Sequence, residues 1–201
     1  MQIVRSLRVA SMMLSLAACA GGGVSAQQKP ATEPAAPSPA DKAVASLASL
    51  ASERLGVADR VAASKWGTDK PIDDPPREKQ VLDDMAKRAS EMGVDSEAVQ
   101  RIFRDQIEAN KLVQRGLHQQ WAAAPATAPT TRPDLAKEVR PALDRIGGDL
   151  LTAIRDAQPV LTSPQCAASV ERARAQTATS LDELHRQGLE RALQHACNGA
   201  P

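Results

Sequence analysis

Aromatic side chains are nearly missing from this sequence. Tyrosine is absent, phenylalanine occurs once and tryptophan twice in 201 residues. Single-stranded nucleic acid is held on stacks of such rings, and a formal net charge of +1 does not supply the basic surface that a phosphate backbone requires. Nucleic acid is therefore not an expected partner. Runs of β-branched residues are missing too, while alanine and leucine are plentiful, which favours an all-α fold. The three histidines, His118, His185 and His195, are scattered without the grouping of a metal site. No Ser, Cys or His is placed as an activated nucleophile, and no glycine-rich dinucleotide loop occurs. Neither a metal nor a cofactor is expected.

The first 40 residues do not read as globular. Arg5 and Arg8 form a positive start and Val9 to Ala18 a short apolar core, the pattern of an export signal. That core is too short to span a bilayer, which takes about 20 residues. Two processing sites compete. Val24-Ser25-Ala26 suits ordinary signal cleavage, giving a signal peptide 1–26. Leu16-Ala17-Ala18-Cys19 suits a lipoprotein signal 1–18, in which Cys19 would carry a lipid anchor, the one membrane contact expected. Either way the protein works outside the cytoplasm, in the periplasm or beyond. Removing the leader turns the net charge from +1 to −1. Residues 27–40 are rich in Pro and Ala and read as a tether.

With Cys19 assigned to the leader or its anchor, Cys166 and Cys197 remain. In an oxidising compartment an even pair is expected to bridge, and closing a loop of about 30 residues stabilises by roughly 3–4 kcal/mol. Two buried free thiols are the alternative.

Residues 41–201 are expected to form one helical-bundle domain of about six helices. The first runs from Asp41 to Trp66. A second, capped by Asp73 or Asp74 with Pro75-Pro76 in its first turn, runs to Met92 and is ended by Gly93. A third runs from Asp95 or Ser96 to Trp121, so 41–121 hold three helices. A Pro/Ala/Thr-rich loop covers 122–133. The C-terminal part, 134–201, starts with a helix from Asp134 to Ala157, bent at Pro141 or Gly147-Gly148. Shorter helices follow near 164–176 and 178–197.

On the first helix, Val44, Leu47, Ala51, Ala58, Val61 and Ala62 make one apolar stripe. Arg54 and Lys65 fall inside it, eleven residues apart, which is about three helical turns. Cations are rarely buried without partners, and no acid on the stripe can pair with both. The second helix repeats the anomaly with Glu78 on the stripe of Val81, Met85, Ala89 and Met92, flanked by Arg77. The third carries Gln106, Asn110 and Gln114 among Val99, Ile102, Phe103, Val113, Leu117 and Trp121. Polar groups on three inward faces describe either interhelical salt bridges or a polar cavity inside a bundle, a common place for a ligand site. Guanidinium forks suit carboxylates, and the amides add neutral donors. The ligand fitted by this set is a small dianion.

The order Glu53-Arg54, Ser64-Lys65-Trp66, Asp73-Asp74-Pro75-Pro76-Arg77-Glu78 and the run FRDQIEANKLVQ at 103–114 resembles the all-helical chorismate mutases. The leader, the cysteine pair and the extra C-terminal helices resemble their secreted subclass. The resemblance covers about 160 residues. It implies an isomerase, cofactor-free, that rearranges chorismate to prephenate within one molecule and acts as a homodimer. It further implies that Arg54 grips a substrate carboxylate and that Lys65 and Gln114 donate to the ether oxygen of the breaking bond. Arg77 supports the site's conformation. Asp74 and Glu78 are placed for the substrate hydroxyl, Val81 for the lining and Asn110 for a carboxylate. Arg140, in VRPALD, best matches the C-terminal arginine that completes the site within one chain, with Arg132 and Arg145 as rivals. The alternative is a non-catalytic helical periplasmic protein that binds a small acid or an envelope partner. Such a scaffold has no need to bury Arg54, Lys65 and Gln114.

Overall fold

The computed structural model describes residues 37–197; the signal peptide, Cys19 and most of the tether lie outside the described residues. Six α-helices and no strand occur among them. They are α1 (Pro39–Lys65), α2 (Pro75–Glu91), α3 (Ser96–Ala123), α4 (Arg140–Leu161), α5 (Cys166–Ala178) and α6 (Glu183–Ala192). The all-α class and the helix count follow the sequence reading.

Each boundary has a local cause. Ser38 and Asp41 form a capping box at α1, each side chain serving the other's backbone N–H, so the helix starts two residues before the expected Asp41. Asp74 caps α2 by accepting from the Arg77 amide at 3.2 Å. Gly93 ends that helix at φ 69°, a left-handed conformation that glycine adopts without strain. Asp95 caps α3 through the Glu97 amide at 2.9 Å.

The long helices α1 and α4 pack along each other, α3 lies against α1, α2 and α6, and α5 covers α1. Their shared core is aliphatic: Leu47, Leu55, Ile102, Ile146, Leu150, Leu151 and Leu189 are fully buried with Phe103, the single phenylalanine. The stripe predicted for α1 is buried along its whole length, Arg54 and Lys65 included. Both tryptophans meet at one end, where Trp66, His118 and Trp121 contact edge-on or tilted at 5.2–5.6 Å between centroids.

Several details differ from expectation. The segment expected to open the fourth helix is a π-helical turn, Leu135–Val139. Asp134 accepts there from the amides of Ala136 and Lys137 at 2.8 and 3.0 Å. Arg140 N–H then donates to Leu135 O, five residues back. Pro141 falls in the first turn of α4, directly after this π turn. The glycines expected as a bend lie inside α4, with Gly147 facing Phe103 and Met85. That helix runs on to Leu161 past Pro159. Finally, α6 starts at Glu183 and ends at Ala192, shorter than 178–197. Gln106 belongs to this end of the fold: its amide donates to Ala192 O at 2.9 Å. Beside it the buried Asp105 pairs with Arg191 and accepts from the His195 amide at 2.8 Å. Gln106 is thus a structural clip, not a cavity residue.

Cys166 and Cys197 are bridged, 31 residues apart. The bridge ties the start of α5 to the chain beyond α6. No helix among the described residues is long and apolar enough to cross a membrane.

Candidate active site

A cavity of about 850 Å³ opens between α1, α2, α3 and the chain that enters α4, within the ~300–1,000 Å³ usual for small-molecule sites. Arg54, Lys65, Asp74, Arg77, Glu78, Val81, Asn110, Gln114 and Arg140 all line it. Residues from four regions of the chain are brought together there, as three inward-facing polar stripes require.

Arg54 is 7 % exposed and forms no ion pair within 4 Å among the described residues. Its Nη1 reaches Leu143 O only at 3.5 Å, and its Nε has no acceptor. Burial lowers its pKa to about 10, with Asp144 opposing, so the guanidinium stays charged at neutral pH. Lys65, 9 % exposed, donates Nζ to Ile72 O at 3.0 Å. Burial lowers its pKa against the pull of Asp74, Asp73 and Glu78. Two buried cations thus face one cavity without a bonded carboxylate.

The amides are ordered by the backbone. Asn110 Nδ2 donates to Arg54 O at 3.5 Å, which turns its Oδ1 toward Gln114. Gln114 Nε2 donates to that oxygen at 2.7 Å. One Nε2 hydrogen is used and the second is left for the cavity. Gln114 is 3 % exposed, and its Oε1, like Arg54 Nε, has no hydrogen-bond partner among the described residues. A buried group left so costs about 1–3 kcal/mol, and such groups cluster where a ligand supplies the missing partner.

The second helix behaves differently. Arg77 is half-buried, donates Nη1 to Gln80 Oε1 at 2.8 Å and approaches Asp144 at 3.6 Å. Both oxygens of Glu78 accept from Lys111 Nζ, at 3.3 and 3.1 Å, and Oε1 also takes the Asp74 amide at 3.2 Å. Glu78 is therefore engaged in tying α2 to α3. Lys111 is the residue that sequence reasoning missed. It is buried and also pairs with Glu108 at 2.7 Å and Asp73 at 3.3 Å. Burial alone would lower its pKa, but Glu108 and Glu78 outweigh it and the net shift is upward. Its signal was the four-residue spacing Phe103–Ile107–Lys111 on the inward face.

Among the three candidate arginines of the C-terminal part, Arg140 and Arg132 line the cavity and Arg145 does not. Arg145 is bound to Glu53 and, at 2.8 Å, to Asp149. The π turn matters here. Its five-residue step brings Leu135 and Arg140 onto the same cavity wall, one turn before Leu143, the contact of Arg54.

Fold and site together define a class: a helical bundle whose core encloses a cationic, amide-bearing cavity for a small anion. Residues 41–115 match the family model for chorismate mutase type II. The secreted chorismate mutase of Mycobacterium tuberculosis is 36% identical over 160 residues, 79% of this chain and 80% of that protein. The secreted chorismate mutase of Mycolicibacterium smegmatis is 37% identical over 153 residues, 75% of this chain and 84% of that one. Among solved structures, chorismate mutase from Burkholderia phymatum superposes with a TM-score of 0.74 at 38% identity, covering 81% of this chain and 100% of its own. The chain belongs to the chorismate mutase family.

Proposed function

We propose that this cavity converts chorismate to prephenate, and that Lys65, Gln114 and Arg54 carry the catalysis. The enzyme is an isomerase. The rearrangement is unimolecular, so the protein must hold the substrate in its folded reactive shape and favour the charge separation of the transition state. Two groups are suited to the ether oxygen, which gains negative charge as its bond breaks: the Lys65 ammonium and the free Nε2 hydrogen of Gln114. Preorganised donors of this kind are the largest lever such an enzyme has. Arg54 serves a carboxylate, Arg140 the other side of the same group of charges, and Asn110 fixes the Gln114 amide. Asp74 and Glu78 lie toward the substrate hydroxyl, Val81 fills the wall, and Arg77 braces α2.

The observation that carries this reading is Arg54: a guanidinium buried to 7 % exposure, with Nε unbonded, facing a cavity. A purely structural cation at that depth is paired in folded proteins. A dicarboxylate substrate supplies the counter-charge.

Export belongs to the same reading and is supported by two relatives named as secreted. The leader is then cleaved after Ala26, or Cys19 is lipidated; mass spectrometry of the native N-terminus separates the two. A homodimer is the assembly this reading carries. The deciding experiment follows chorismate absorbance with oxidised protein comprising residues 27–201. Decay far above the uncatalysed rate is expected, with most of it lost in Arg140→Ala at unchanged thermal stability. A folded helical protein that leaves chorismate untouched would overturn the function. Equal rates for Arg140→Ala and its parent would overturn that residue's part.

A further inference from the structure

The loop between α3 and α4 carries a cation that the roles above leave unused. Arg132 lines the cavity and makes no ion pair or hydrogen bond among the described residues. Its guanidinium lies across Gly67, two residues beyond Lys65: a β-carbon there would sit 3.0 Å from Arg132 Nη2. Gly67 is at φ 64°, so the turn that follows Lys65 is left-handed and bare, and the planar group rests on backbone.

This placement is held from both sides. Ala128, upstream, packs on the cluster of Ala62, Ala63 and Trp121. Downstream, Pro133 limits the Arg132 backbone to extended conformations, and Asp134 is locked as the cap of the π turn. Glu138 in that turn pairs with Arg60 of α1 at 3.1 Å. A loop pinned at Ala128 and again at Asp134 and Glu138 leaves Arg132 little freedom to turn away. Several exposed arginines meet carboxylates, Arg60 with Glu138, Arg145 with Glu53 and Asp149, Arg155 with Asp156, while Arg132, like its cavity neighbour Arg140, meets none among the described residues. Arg132 thus turns a guanidinium fork into the cavity with no carboxylate partner among the described residues.

We infer that Arg132 is a further substrate-binding residue, which captures the substrate carboxylate nearest Lys65 while Arg54 and Arg140 serve the α4 side of the cavity. This rests on the chorismate reading above. A dicarboxylate then meets a guanidinium at each end of the site, and Lys65 is freed to aim at the ether oxygen.

The test compares the wild type with Arg132→Ala, Arg132→Lys and, as a control outside the cavity, Arg155→Ala. Arg132 is exposed and loop-borne, so its removal leaves the core intact. Loss of a charge-assisted contact should raise KM for chorismate about 10-fold with kcat within about 2-fold. Arg132→Lys restores part of the KM, and the KM of Arg132→Ala rises less steeply with added NaCl than that of the wild type, because one screened charge is gone. A merely structural role would move neither the salt slope nor the Lys rescue. Unchanged KM in Arg132→Ala overturns the proposal. Chorismate binding is read in parallel from tryptophan fluorescence. Wild-type protein that binds chorismate without converting it sinks the activity alone, and the dissociation constants then decide Arg132: a loss of about 10-fold supports capture, equality overturns it. Wild-type protein that binds no chorismate overturns both.

Discussion

Arg54 and Lys65 lie on one helix, yet the chemistry asked of them differs. A carboxylate grip acts in ground and transition state alike, while a donor at the breaking bond acts mainly in the latter. Lys65→Ala should therefore lower kcat by about 10²–10³ with a modest change in KM. Arg54→Ala should raise KM as well as lower kcat, because the grip positions the substrate. Steady-state kinetics with chorismate separate these, and equal KM effects for both would refute the division. Gln114 gives a second test. A neutral amide donates at any pH, so the wild-type rate is expected to be flat between about pH 5 and 8. In Gln114→Glu the carboxyl must stay protonated to donate, and burial favours that form. Its rate should be highest in acid and fall as pH rises through its pKa. A pH profile parallel to that of the wild type would sink the role. At this scale the sequence was informative, because a cation or amide on an apolar stripe violates a simple periodicity. Lys111 was less visible, since its three carboxylates come from Asp73, Glu78 and Glu108, two of them on neighbouring segments that only the fold brings close.

Between elements, α6 is fastened to α1 by a histidine. His185 Nε2 meets Asp59 Oδ1 at 3.0 Å and its Nδ1 meets Asp182 Oδ2 at 2.8 Å. Burial alone would lower the His185 pKa, but the bond to Asp182 and the charge of Asp59 outweigh it and the net shift is upward. The imidazolium's contribution is thus complete below the unfolded value of about 6.5 and is lost as pH rises through the higher folded value. Thermal unfolding should show stability draining as pH rises above about 6.5, and His185→Gln should flatten that slope. Slopes that coincide would remove the histidine from the account. The helices themselves were legible, since caps such as Asp74 and Asp95 and the stop at Gly93 are written locally. The π turn was not. One extra residue per turn leaves no mark on an apolar pattern only five residues long, and it showed itself only when Arg140 N–H was found bonded to Leu135 O. The ends of α6 escaped for a related reason: its last turn is held by Asp105 and Gln106 of α3, contacts from about 90 positions away in the chain.

At the scale of the molecule, the bundle divides its work. Cavity residues come from α1 to α4 and the loop before α4, while α5, α6 and the Cys166–Cys197 bridge brace the far side of α1 and α3. The division into three active-site helices and a C-terminal part could be read from the Pro/Ala/Thr-rich loop at 122–133. That this loop also returns a wall to the cavity could not, because composition says where a chain is irregular and not where it goes. One consequence follows from the walls themselves. Arg54, Lys65, Asn110, Gln114, Arg132 and Arg140 face the cavity from a single chain, so turnover is expected to borrow nothing from a neighbour. Turnover per molecule should then stay constant as the protein is diluted from micromolar to picomolar, past the point where any pair of copies separates. A fall in specific activity along that series, with recovery on reconcentration, would show a shared site. A site complete within one chain would lose nothing when its copies are scattered thinly, whether or not they pair.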